Sequence, residues 1–387
     1  MKILHTSDWH LGHTIYGYDR KMEHESMLKQ IEEIVKKEKP DVFLLCGDVF
    51  HTSQPSASVN RMFVDSITSI RKAHPDMIII ITAGNHDSGS RHEIFSKLWE
   101  NFGVYTIGTL HTEDINSHII PVNGKGYIIA NPYAHKKLVP EGFIQELLDK
   151  TTLINLESLP VIMTAHTTIS KCKFKGHEDG NEFSVGGIDG IDLEEMGDGF
   201  DYLALGHIHL KQTIISDKKV ARYSGSPIAV SFDEDKEHSV TIIEIENHGE
   251  RPVLKEVEIV NPIPLITLPS EGSMDWETAR NLLEKFPDSQ DCYLRLNVEV
   301  SDVLPPAANE EALNITKGKK CRFCYINSVR KKKSLNSENR FSVQEFKKEH
   351  PLDIFRQYTL DSNMEMDDEL IDLFNETLSE INSESDL

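Results

Sequence analysis

Five short apolar runs in this chain each end in a residue that can bind a metal or move a proton. Met1-Lys2-Ile3-Leu4-His5 runs into Thr6-Ser7-Asp8-Trp9-His10, and Val42-Phe43-Leu44-Leu45-Cys46 into Gly47-Asp48-Val49-Phe50-His51. Met77-Ile78-Ile79-Ile80-Ile81-Thr82 leads to Gly84-Asn85-His86-Asp87, Val161-Ile162-Met163-Thr164-Ala165 to His166, and Tyr202-Leu203-Ala204-Leu205 to Gly206-His207-Ile208-His209. Runs this short and this β-branched read as buried strands. In open α/β sheets ligands bind at the carboxyl ends of strands, which is where these polar groups fall. Few folds other than an α/β core with a site along that edge can use such a pattern.

The intervening segments support the same core. Asp19 to Lys39 has helical spacing at Met27, Ile31, Ile34 and Val35, with lysines before Pro40. Pro55 to Ala73, Glu93–Trp99 and Glu141–Leu156 also read as helices, and Val104–Ile107 and Gly126–Ala130 as strands. Residues 167–200 are Gly-rich and polar and read as a loop shaping the site, with one helical turn near Leu193–Met196. After His209 the pattern changes to antiparallel strands without helices, at Val220–Ser224, Ser239–Glu246 and Val253–Val260.

A chain of 387 residues exceeds what one core usually organises. The expected division is residues 1–262 as the α/β core, 263–335 as a small α+β module after Pro262-Ile263-Pro264, and 336–387 as linker and helices. Leu370, Leu373, Phe374 and Leu378 form an apolar stripe that two short terminal helices cannot bury alone, so they read as a docking element.

Net charge is −22, which by itself argues against a polyanion binder. The charge is uneven, however: residues 361–387 carry ten acids and no Lys or Arg, whereas Lys317 to Lys333 hold eight basic residues and no acid. That basic stretch is a candidate nucleic-acid contact; the plainer reading is a solvated hairpin and linker. No apolar run approaches the roughly 20 residues of a membrane span, and the chain enters a strand at once, so neither membrane span nor leader is expected. Five scattered cysteines fit reduced thiols in a cytoplasm. Cys321-x-x-Cys324 lacks a second pair, and its alternating surroundings read as strand rather than zinc site.

Asp, His and Asn without thiolates suit a divalent ion that prefers oxygen and nitrogen. Seven such groups exceed one ion's needs; two ions about 3.5–4 Å apart would use them all and share a carboxylate. The expected allocation is Asp8, His10, Asp48 and His209 to one ion, and Asp48, Asn85, His166 and His207 to the other, with Asp48 bridging. His86 and His51 lie beside these ligands and can donate a proton or stabilise a charged transition state. His5 reads as a core histidine, and His13, His24, His111, His135 and His177 as surface groups.

Asp-x-His, Gly-Asp, Gly-Asn-His-Asp, a lone strand-end His and Gly-His-x-His together resemble the signature of calcineurin-like metallophosphoesterases. Leu4 to Gly12, Gly47 to His51 and Tyr223-Ser224-Gly225-Ser226-Pro227 are similar to its double-strand-break repair nuclease branch, the SbcD type. The likeness is strong over residues 1–260 and extends in layout to the rest. It implies an α/β fold whose β-sandwich core is flanked by helices, with a small α+β capping domain and C-terminal helices. It implies two manganese ions and catalytic roles for His51 and His86. It implies ATP-dependent 3′→5′ exonuclease action on double-stranded DNA and endonuclease action on single strands and hairpins, in replication, recombination and repair. The implied assembly is a heterotetramer with an SbcC-type coiled-coil ATPase, containing a homodimer of the nuclease subunit. The competing reading is a phosphatase or phosphodiesterase of the same superfamily acting on a non-DNA substrate.

Overall fold

A computed structural model of the chain describes residues 1–170, 172–173, 190–216, 219–234, 237–300, 303–330, 371 and 374. The continuous apolar runs of its central strands, buried on both faces, build two six-stranded sheets. In the first, Lys2–Thr6, Val42–Cys46, Ile78–Thr82 and Val104–Ile107 run parallel, and the antiparallel pair His238–Glu244 and Val253–Ile259 extends one edge. In the second, Lys219–Tyr223, Tyr202–Gly206, Val161–His166 and Tyr127–Ala130 run parallel, flanked by Gln212–Ser216 and Ile119–Pro121.

Period-2 alternation sends successive side chains to opposite faces, and this sets the layers. In the first sheet Leu4, Phe43, Leu45, Ile79 and Ile81 face the helices Lys21–Glu38 and Ala57–Ala73. Their neighbours Ile3, Val42, Leu44, Cys46, Ile78 and Ile80 join Ile128, Ile162, Tyr202 and Ala204 of the second sheet in one inter-sheet core. The outer face of the second sheet, including Ile129, Met163, Leu203 and Leu205, packs on Phe143, Leu147 and Leu148 of the helix Phe143–Ile154. The result is a two-sheet sandwich flanked by helices, which agrees with the expected fold class.

Local differences from the sequence reading have simple causes. Lys219–Tyr223 pairs parallel to Tyr202–Gly206, not antiparallel, because the intervening strand Gln212–Ser216, with little apolar signal, supplies the reversal. Glu93–Trp99 is not one helix: the chain breaks at Ile94-Phe95 between Gly89–Glu93 and Ser96–Glu100.

Residues after Ile263 form a three-stranded sheet, in the order Leu265–Leu268, Tyr293–Val300, Arg322–Arg330. It packs on the helices Trp276–Lys285 and Ala308–Thr316 around its own core of Leu283, Leu294, Leu296, Val298, Ala312 and Phe323. Asp275 caps the first of these helices by accepting from Thr278 N at 2.9 Å. Cys324 lies in the last strand, as the alternation suggested, and Cys321 directly precedes it. The proposed docking helices lie outside the described residues except for Ile371 and Phe374, both helical. Half of the 167–200 loop, including His177, and Lys331 to Lys333 also lie outside them.

Candidate metal centre

Asp8 and His10 leave the first strand on either side of Trp9. The indole is fully buried against Phe43, and its Nε1 donates to Thr6 Oγ1 at 3.0 Å, which pins the loop that carries Asp8 and His10. Asp8, His10, Asp48 and His207 all have positive φ, between 43° and 94°. Four of the eight non-glycine residues in that state among the described residues are thus candidate ligands. Backbone held in a sparsely populated region at one place marks a functional site. The adjoining glycines are needed for space: a Cβ at Gly47 would lie 2.1 Å from His166 Nδ1, and one at Gly84 would lie 2.1 Å from Asp48 Oδ1.

All nine expected site residues converge. Asp48 Oδ2 lies 3.7 Å from His10 Nε2 and 3.3 Å from His166 Nε2, between the two halves of the ligand set. Asn85 Oδ1 is 3.0 Å from His166 Nε2 and 3.1 Å from His207 Nδ1. His10 Nε2 and His209 Nε2 are 3.0 Å apart. Asp8 accepts the His207 N–H at 3.0 Å. Possible ligand atoms fall into overlapping groups: Asp8, His10 and His209; Asp8, Asp48 and His166; and His10, His51 and His86. Asp8 therefore approaches both halves, more centrally than its place on the first strand suggested.

His166 tests whether this set fits a cation. Its Nδ1 faces the Cys46 carbonyl at 3.0 Å and must carry the proton, so Nε2 is a lone-pair nitrogen in the neutral ring. Yet Nε2 faces Asn85 Oδ1 and Asp48 Oδ2, both acceptors. Buried acceptors that face one another need either an added proton or a metal ion. Without a metal the proton wins: burial opposes charge on His166, but Asp48 and then Asp8 outweigh it and lift its pKa to about 9. His209 is likewise lifted to about 9, against burial, first by Glu234 and then by Asp8 and Asp48. Burial alone would raise Asp48, but His166, His10 and His86 hold it well below the usual carboxylate range. Asp8 is raised, chiefly by burial, and burial drives His10 well below the usual imidazole value. Such a set, rich in oxygen and nitrogen and free of thiolates, fits divalent ions.

His86 Nδ1 donates to the His51 carbonyl at 3.0 Å, and the two rings stack 5.7 Å apart. Both lie beside His10, with centroids at 5.0 and 5.7 Å.

A calcineurin-like phosphoesterase family model matches residues 1–211. Three curated relatives are each described as the SbcD component of nuclease SbcCD. That of Rhodobacter capsulatus is 30% identical over 70% of this chain and 73% of its own length. That of Bacillus subtilis is 30% identical over 79% and 80%, and that of Escherichia coli 28% over 78% of each. The chain belongs to the SbcD branch of the calcineurin-like phosphoesterases. A member of this branch is a metal-dependent nuclease, and divalent metal binding goes with the fold.

Several residues that serve this phosphoesterase site escaped the sequence reading. Asp87, the last residue of Gly-Asn-His-Asp, buckles two loops together, accepting the Val49, Phe50 and Gly84 N–H groups at 3.1, 2.9 and 2.9 Å. Ser7 donates to Asp8 and lies 2.7 Å from Ser224 Oγ. Glu234 lies 3.1 Å from His209 Nδ1 with no sequence signal of its own. His5 is buried on Tyr202 and the Leu205 carbonyl, as a core histidine. His13 and His24, expected on the surface, are buried. His24 lies on the buried face of the first helix, and His13 accepts from Arg20 at 3.2 Å. The basic stretch is partly consumed by its own module: Lys319 pairs with Asp288 and binds the Phe286 carbonyl, and Arg322 pairs with Asp291.

Proposed function

We propose that this chain is the nuclease component of an SbcCD-type complex and hydrolyses DNA phosphodiester bonds with two manganese ions. Asp8, His10, Asp48 and His209 would hold one ion, and Asp48, Asn85, His166 and His207 the other. Bound there, two divalent ions clamp a phosphate and lower the pKa of a coordinated water. The observation that carries the reading is the position of Asp48 Oδ2 between His10 Nε2 and His166 Nε2, with every other expected ligand gathered around it. His86 is oriented by the His51 carbonyl through Nδ1, which leaves Nε2 as the nitrogen that can take up a proton and pass it to a leaving alkoxide; His51, whose ring stacks on it, is the second candidate for that role.

The activity proposed is ATP-dependent 3′→5′ exonuclease action on duplex ends and endonuclease action on single strands and hairpins. The stripe Leu370, Leu373, Phe374 and Leu378 would dock on an SbcC-type coiled-coil ATPase in a heterotetramer. A homodimer of the nuclease chain is supported by Ile94, Phe95, Leu98 and Phe102, large apolar side chains 57–64% exposed on consecutive turns, with Val64 of a neighbouring helix 42% exposed. Among the described residues no helix is long and apolar enough to cross a membrane, and five free cysteines support a cytoplasmic setting.

The test is cleavage of hairpin DNA with manganese, by the chain alone and with an SbcC-type ATPase, beside a nitrophenyl phosphomonoester. Rapid monoester turnover without DNA cleavage would assign a phosphatase instead. Deleting residues 342–387 should preserve manganese-dependent cutting of single strands but abolish co-elution with the ATPase. A truncated chain that still co-elutes places the docking surface elsewhere.

A further inference from the structure

The strand Lys219–Tyr223 belongs to the second sheet and His238–Glu244 to the first, so residues between them cross from one sheet to the other. This crossing wraps around the carboxylate of Glu234, whose side chain is only 2% exposed. Its Oε1 accepts the Val230 and Ser231 N–H groups at 3.0 Å each, and its Oε2 accepts from Ser226 Oγ at 2.8 Å. The same Oε1 lies 3.1 Å from His209 Nδ1, and the Ser226 N–H donates to the His209 carbonyl at 3.1 Å. An ionised carboxylate only accepts, so it places the proton of the neutral imidazole on Nδ1 and leaves Nε2, the nitrogen facing His10, as the ligating one.

The other end of this contact reaches the small module. Arg295, on the strand Tyr293–Val300 and 7% exposed, donates to Asp233 at 2.6 Å and to the Phe232 carbonyl at 3.4 Å. Its guanidinium also lies 5.2 Å from the Phe232 ring centroid. It therefore grips the two residues directly before Glu234. A planar, delocalised cation bound to a carboxylate, a carbonyl and a ring at once holds that segment in one orientation.

We propose that Glu234 is a positioning residue that fixes the tautomer and direction of His209, and that Arg295 makes this setting depend on how the small module is seated. The inference rests on the two-metal reading above and names no new ligand. It gives the small module a role in the chemistry that does not require it to touch the substrate.

The experiment uses the full chain, wild type and variants E234A, E234Q and R295M. Manganese binding is followed by calorimetry, and the His209 ring nitrogens of the metal-free chain by nitrogen-15 shifts at pH 10, above the value of about 9 at which the ring becomes neutral and has a tautomer to report. E234A should weaken one of the two manganese sites about 10–100-fold, the range for losing an outer partner of a ligating histidine. It should also mix the His209 tautomers. E234Q keeps an acceptor and should fall between E234A and wild type. R295M, remote from the ligands, should weaken the same site in the same direction by a smaller factor. Should E234A fail to fold, the ring-nitrogen shifts of E234Q against wild type decide the first half. Affinities within about twofold of wild type in E234A, with Nδ1 still protonated, would overturn the positioning role. An unchanged R295M beside a weakened E234A would overturn the coupling. A wild-type chain that binds no manganese would end both the two-metal reading and this proposal, and that outcome shows before any variant is made.

Discussion

Replacing Glu23 should reveal how strongly the fold depends on one buried ion pair. Arg20 is fully buried just ahead of the helix Lys21–Glu38, and Glu23 beside it is 1% exposed. Arg20 Nε donates to Glu23 Oε1 at 3.0 Å, and its Nη1 donates to the Ala229 carbonyl at 2.6 Å and to His13 Nδ1 at 3.2 Å. Tyr293 of the small module donates its hydroxyl to the same Glu23 oxygen at 2.8 Å. Glu23→Ala leaves a guanidinium sealed from water with a carbonyl, an imidazole and the Tyr293 ring as its remaining partners among the described residues, none of them a counter-charge. Breaking a buried pair from one side costs about 3–5 kcal/mol, because the desolvated charge stays uncompensated. In a chain this size that lowers Tm by roughly 5–15 °C. Tyr293→Phe removes one hydrogen bond to a charged group and should cost about 1.5–3 kcal/mol. Glu25→Ala is the control: Glu25 and its partner Lys21 are more than half exposed, so the change should stay within about 1 kcal/mol. The double variant Arg20→Met with Glu23→Leu removes both charges and should recover most of the loss. Scanning calorimetry at neutral pH reads all four. A Glu23→Ala chain that melts within 1–2 °C of wild type, about what an exposed pair would give, would refute the argument. So would a double variant no better than the single.

Metal counting on purified protein tests the bridge: Asp48→Ala should empty both sites and Asp8→Ala should spare one, and an Asp48→Ala chain that keeps one ion would remove Asp48 from its bridging place. His86→Gln should lower DNA cleavage by roughly 10²–10³, as for loss of one transition-state contact, while manganese stays bound; loss of manganese would make His86 a ligand. The metal-free chain should be most stable near neutral pH or slightly below. Burial holds His5 at about 3, His13 at about 2 and His24 at about 3, so the unfolded chain binds more protons below their ordinary value of 6.5. Each such histidine should cost about 1.4 kcal/mol per pH unit as the pH falls from there. Above 6.5 the sign reverses: His166 and His209, lifted to about 9, hold extra protons only in the folded chain, and that stability is lost as pH rises through 9. Tm measured from pH 4.5 to 9.5 should show both limbs; a flat profile, or one rising monotonically, would contradict the burial of these rings.

What the sequence determined alone lies within short stretches. A β-branched run ending in Gly-Asp or Gly-Asn-His-Asp specifies a buried strand and a polar carboxyl end, because alternation and turn geometry act over a few residues. The strands bearing Asp8, Asp48, Asn85, His166 and His207, and the convergence of those residues, were legible for that reason. The tertiary structure decided which polar groups are buried and what they face. His13 and His24 look like any surface histidine until Arg20 and the first helix close over them. Glu234 meets His209 across 25 residues, Arg295 meets Asp233 across 62, and Tyr293 meets Glu23 across 270. Neither partner of such a contact carries a local mark, since a carboxylate or an arginine in isolation is most favourable in water. Only when a strand from another part of the chain supplies the matching charge does burial become tolerable, so the outer framework of the site appears only in the folded molecule.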